Sequence, residues 1–269
     1  MNDRTVSSQV STAPTLEDYE RFVGAETVER LLSKSAALRD LHVVNVNSTY
    51  YGGGVAQLLS SLTLLMNATG IRTGWRVIQG RPDFFSVTKK LHNALQGGEI
   101  NLTRMKQDIY EEVVRENAIR MHLDHDLVIV HDPQPLPLIH YYRKKAPWVW
   151  RCHVDLSRPN SDVWDYLQPH VECYDAVVLS LPEYARKLNT PQRFFMPAID
   201  PFSATNKELT DGEIDERLEH YDIPTDLHWY LRIVPSLVIP GGFELASGLT
   251  INPSLPEDDA AVLREAYAS

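Results

Sequence analysis

Short β-branched runs alternate along the chain with longer stretches of helical spacing. Residues 42–48 (HVVNVNS) form an apolar run that stops at Gly52, Gly53 and Gly54, and the leucines of residues 55–69 then recur at helical spacing until Gly70. Strand, glycine turn and helix in that order open an α/β unit. Residues 72–80 predict a second strand. Residues 83–122 predict helix, with Ile109, Val113, Val114, Ile119 and Met121 on the face that packs. Residues 126–132 (DLVIVHD) are apolar without alternation, which suits a parallel strand buried on both faces, and Pro133, Pro135 and Pro137 end it. A short helix over 138–145, a strand over 148–153, a helix over 163–174 and strands over 176–181 and 193–196 continue the series. Ahead of it, Tyr19, Phe22, Val23, Val28, Leu31, Leu32 and Leu38 give residues 16–40 one or two helices. This alternation predicts an α/β fold with a doubly wound, mostly parallel sheet.

After about Pro201 the pattern degrades. Residues 213–221 predict a helix, and strand-like pieces beyond Ile223 are interrupted by prolines. Three regions are expected: a disordered lead-in over 1–15, a layered domain over 16–222 and an irregular acidic tail over 223–269. The net charge of −10 matters through its placement, since residues 207–269 hold 13 Asp or Glu against 4 Lys or Arg. The tail therefore reads as a solvated face, and the chain has no basic footprint for nucleic acid. Apolar residues at 43% and charged residues at 23% exclude a disordered or fibrous chain. No apolar run approaches the ~18 residues of a membrane span. The N-terminal residues lack the apolar core of a signal peptide. Cys152 and Cys173 make no disulfide framework. A cytoplasmic protein is expected.

Two features carry candidate chemistry. Gly52, Gly53 and Gly54 stand between a strand and a helix N-terminus, where bare backbone N–H groups suit an anionic or strongly polar ligand. The same residues could simply make a tight turn, and the spacing is neither a dinucleotide fingerprint nor a phosphate loop. The second feature is a set of polar strand ends: Asn47 and Ser48; His131, Asp132 and Gln134; Arg151, His153 and Asp155; Ser180 and Glu183. In doubly wound sheets, ligands bind at the carboxyl ends of strands, so these groups suggest a cleft for hydroxyl groups. His131 and His153 could equally serve as buried structural histidines. A zinc site matches no known ligand spacing, and a serine hydrolase lacks its Gly-x-Ser-x-Gly elbow.

The segments VVNVNSTYYGGGVAQLL, FFSVTKKLHNALQG, LVIVHDPQPLPLI, PWVWRCHVDLSRPN, LPEYA and MPAIDPFSATN, running from about Leu41 to Asn206, resemble the N-terminal domain of glycosyltransferring trehalose synthases. These are retaining family 4 glycosyltransferases of two-domain GT-B fold. The resemblance implies a Rossmann-like domain that holds the acceptor sugar, and transfer of glucose from a nucleotide-diphosphate glucose to free glucose. It implies no metal and no cofactor beyond that co-substrate. It implies that Gly52 to Gly54 face the donor diphosphate and the sugars, that His153 faces the reacting sugar as the catalytic residue, and that Asp132 and Gln134 bind acceptor hydroxyls. Asn47, His131, Arg151 and Asp155 complete the expected substrate-binding set. After Pro224 the text departs from the family. The Arg and Lys expected for the diphosphate are missing, and Glu257 with Glu265 matches the family's carboxylate spacing without its glycine-rich context.

Three readings follow. The first is an enzyme: a trehalose-synthase-like glucosyltransferase, or the acceptor-binding half of one, inactive alone and completed by another chain. The second is a non-catalytic sugar-binding remnant. The third, a dinucleotide oxidoreductase, is disfavoured by the missing fingerprint. Glucose or a related sugar is the expected ligand, a homodimer remains open, and nucleic acid and membrane are not expected partners.

Overall fold

The computed structural model describes residues 14–203 and 206–220. The expected lead-in, apart from Pro14 and Thr15, and the tail beyond His220, including Glu257 and Glu265, lie outside the described residues. The chain divides into two compact units, Met1–Glu208 and Leu209–Ser269. In the second unit, one helix is described, Asp211–His220.

The first unit opens with a 3-10 turn, Glu17–Tyr19, and helices α1 (Glu20–Val23) and α2 (Ala25–Ala36). There follow β1 (His42–Asn47), α3 (Gly54–Ala68), β2 (Arg72–Val77), α4 (Pro82–Leu95), α5 (Arg104–Arg120), β3 (Leu127–His131), α6 (Leu138–Tyr141), β4 (Trp148–Arg151), α7 (Ser161–Val171), β5 (Ala176–Leu179) and β6 (Gln192–Phe194). The six strands form one sheet in the order β2-β1-β3-β4-β5-β6, and all pairings are parallel. The fold is α/β and Rossmann-like. Local chemistry sets the helix starts: Pro82 occupies the first turn of α4, Thr103 caps α5, and the Asn160 side chain accepts from the Val163 N–H at the start of α7.

The chain steps from β1 to one side for β2, then returns past β1 to β3 and continues outward. Right-handed crossovers then put α3 on one face and α5, α6 and α7 on the other. The core lies on this second face. Val44, Val46, Val128, Val130, Trp148, Trp150, Val177 and Leu179 meet Phe84 and Leu91 of α4, Tyr110, Val113 and Val114 of α5, and Leu167 of α7. Each such side chain fully buried contributes roughly 1.5–3 kcal/mol.

Two expectations need correction. Ile119 is 81% exposed, because it lies off the buried face of α5 that Tyr110, Val113, Val114, Asn117 and Ala118 define. The run LVIVH is fully enclosed on one face, by Val128 and Val130; on the other, Ile129, like Val149 and Val178 beside it, is half-buried, and the buried residue is His131. The later crossovers all place their helices on the opposite face. Among the described residues, no helix is long and apolar enough to cross a membrane.

Candidate functional site

β1 and β3 are neighbours whose outgoing connections run to opposite sides, so their carboxyl ends flank the topological switch point of the sheet. A cavity of about 520 Å3 opens there. Gly54, Val55, Gln57 and Ser61 of α3, together with Asp132, His153 and Ser180 from the strand ends, form one side. Leu58, Leu62 and Leu65 of α3 and Val154 add apolar wall, and Tyr19, His92 and Gln96, with residues of the segment 197–206, form the rest. The Tyr19 hydroxyl donates to Asp200 at 3.2 Å, and its ring meets Phe202 edge-on, which ties that segment to the N-terminal turn.

Asp132 is the most constrained residue of the cleft. Its φ of 61° is left-handed, a conformation that Asp tolerates better than most side chains. Its N–H donates to the Arg151 carbonyl at 2.9 Å, and its own carbonyl accepts from the Trp150 indole at 3.0 Å. The backbone is thus pinned on both sides. Oδ1 accepts the His153 backbone N–H at 2.7 Å. Burial pushes the Asp132 carboxyl up to about 6, against the opposing pull of that hydrogen bond and of the Arg151 charge.

The His153 ring stacks nearly parallel on His131, with centroids 5.3 Å apart and Nε2 at 3.0 Å from His131 Nδ1. Burial first, and then the nearby Arg151 cation, push His153 down to about 4. The same causes, with the neighbouring His153, hold His131 well below the usual range. Both rings are therefore neutral at physiological pH.

The other expected site residues are placed as follows. Asn47 is buried; its amide donates to the Thr49 carbonyl and accepts from the Trp75 indole at 2.8 Å, so it shapes the turn after β1. Gly52 and Gly53 have φ of 74° and 78°, and Gly53 caps α3; of the three glycines, Gly54 lines the cavity. His131 lies behind His153. Arg151 donates to the carbonyls of Leu179 and Phe195, at 3.0 and 2.6 Å, and so ties β4 to β5 and to the segment after β6. Gln134 and Asp155 are half-buried, do not line the cavity, and Asp155 accepts from the Ser157 N–H. Sequence reasoning missed Asn45, whose Oδ1 lies 3.0 Å from His131 Nε2. A polar residue inside a β-branched strand was the available signal. It also missed Tyr19, His92 and Gln96, which carried none.

No Lys or Arg lines the cavity among the described residues. No group of three His, Cys, Asp or Glu could hold a metal among them. An uncharged, hydroxyl-rich ligand fits this lining better than a phosphate does.

Comparisons with known proteins show the family. Residues 45–186 match the family described as the trehalose synthase N-terminal domain. A trehalose synthase of Thermococcus litoralis is 45% identical over 212 residues, covering 77% of this chain and 52% of that protein. A trehalose synthase of Rubrobacter xylanophilus is 35% identical over 231 residues, covering 81% and 54%. A trehalose phosphorylase of Pleurotus pulmonarius is 28% identical over 187 residues, covering 61% of this chain and 25% of the relative. The chain spans about half the length of the trehalose synthases it matches.

Proposed function

Because the chain belongs to the family of trehalose synthase N-terminal domains, we propose that it carries the acceptor-binding half of a retaining, trehalose-forming glucosyltransferase. The observation that carries this reading is the pairing of Asp132 and His153 on one cavity at the switch point, with no cationic side chain in the described lining. Glucose is a neutral polyol, best held by convergent hydroxyl acceptors and donors. Asp132 accepts from two hydroxyls, and His153, Ser180 and Gln57 add further polar contacts. Retaining transfer builds positive charge at the anomeric carbon and negative charge on the departing phosphate. In this reading Asp132 and His153 flank the reacting sugar, and the α3 N-terminus at Gly53 and Gly54 favours the anion. Arg151 and His131 act from behind, by holding the strand ends and the His153 ring. Asn47, Gly52, Gln134 and Asp155 shape the loops around the cleft.

A unit that holds nucleotide-diphosphate glucose is the partner this reading requires. Transfer needs both sides of the cleft positioned at once, so the chain alone is expected to bind sugar without forming trehalose. Binding of glucose should be around millimolar, about −4 kcal/mol, since each exposed hydrogen bond nets only ~0.5–1.5 kcal/mol. Titration of the pure chain with glucose, followed by NMR, tests it. Saturation that is lost in Asp132→Ala, in a protein with an unchanged fold, supports the assignment. A response equal in both proteins, or none in the parent chain, overturns it.

A further inference from the structure

His153 is the last member of a buried chain of polar groups that starts at Asn45. Asn45 is fully buried in β1, between Val44 and Val46 of the core. Its Oδ1 lies 3.0 Å from His131 Nε2, and His131 Nδ1 lies 3.0 Å from His153 Nε2. In the orientation the structure gives the Asn45 amide, which leaves its buried Nδ2 without a hydrogen-bond partner, the oxygen faces His131 and accepts, so His131 carries its proton on Nε2. A neutral imidazole has one N–H, so His131 Nδ1 is then an acceptor. The hydrogen on the shared contact therefore belongs to His153 Nε2. His153 Nδ1 is left without a proton and without a hydrogen-bond partner among the described residues, on a side chain that lines the cavity. A charged ring would break the sequence of donors. Burial and the Arg151 cation keep both rings neutral, while the Asp132 carboxylate is held on the backbone N–H of His153.

We propose that Asn45 and His131 are positioning residues that lock His153 as its Nε2–H tautomer, so that Nδ1 meets the cavity only as an acceptor. The consequence is selectivity for a ligand that brings an O–H donor to that atom. A carbonyl or ether oxygen there would leave two lone pairs facing each other. The identity of the ligand rests on the sugar-binding reading; the state of the ring does not.

The test uses the full chain labelled with 15N-histidine and long-range 1H–15N spectra at pH 7.5, with His153→Gln providing the assignment. The expected result is one protonated and one bare nitrogen in each ring, with the His153 proton on Nε2. In Asn45→Leu and His131→Phe, each checked for a native amide spectrum, the tautomer ratio of His153 should move by roughly threefold to tenfold, the worth of one hydrogen bond. A His153 proton on Nδ1 in the parent chain overturns the proposal, because it means that the Asn45 amide presents its N–H2 to His131 and every donor is reversed. A ratio unchanged in His131→Phe also overturns it, whether or not Asn45→Leu folds. A locked His153 in a chain that binds no glucose leaves this inference standing and removes the sugar reading instead.

Discussion

The carboxyl group of Asp132 should make the fold less stable at neutral pH than it is in mild acid, and Asp132→Asn should remove that dependence. Burial raises this carboxyl from 3.8 to about 6 in the folded chain. Between those values the folded state binds a proton that the unfolded state has released, so stability falls as pH rises from about 4 to about 6. Above that the cost is complete and amounts to about 3 kcal/mol. The histidines act in the opposite sense. His153 falls from 6.5 to about 4, so its contribution to stability grows as pH rises through that window. The pH curve of the parent chain therefore mixes the two, and the comparison with a variant isolates Asp132. Asn keeps the Oδ1 that accepts the His153 N–H at 2.7 Å and never ionises. Urea unfolding followed by tryptophan fluorescence should find Asp132→Asn equal to the parent, or slightly weaker, near pH 4. Near pH 7.5 the variant should be more stable by about 3 kcal/mol. A difference that stays constant within about 0.5 kcal/mol from pH 4 to 7.5 would refute the account of a desolvated carboxylate kept for binding.

Two further substitutions separate backbone from side-chain roles around the cleft. Gly53→Ala should cost about 1–3 kcal/mol in urea unfolding, because φ 78° and ψ 157° suit glycine alone, although nothing lies within 4 Å of an added Cβ. Gly54→Ala should stay within about 0.5 kcal/mol, and equal costs at both positions would refute the turn requirement. Arg151→Lys should lose about 1–3 kcal/mol by the same assay, since one ammonium cannot span the carbonyls of Leu179 and Phe195 as the guanidinium does. Unchanged stability would show that Arg151 does not hold the strand ends together.

The sequence by itself determined the elements and their class. β-branched runs, helical spacing, glycine stops and prolines are local signals, and strand β3 ends where the prolines following Asp132 begin. It also determined that polar groups crowd the strand ends, because residue order alone puts His131, Asp132, Arg151 and His153 there. It could not determine which of them meet. Strand order decided that: β1 beside β3 brings Asn45 to His131 across 86 positions of sequence, and β4 beside β3 brings His153 onto both His131 and Asp132. Arg151 reads as a ligand group in the sequence, yet its hydrogen bonds go to two backbone carbonyls that only the packed fold supplies. The far wall of the cavity, from Tyr19 through His92 and Gln96 to Asp200, joins segments with no shared motif. Local pattern is written in neighbouring residues. Hydrogen bonding between distant side chains depends on the register of the sheet, and that is fixed only when the core packs.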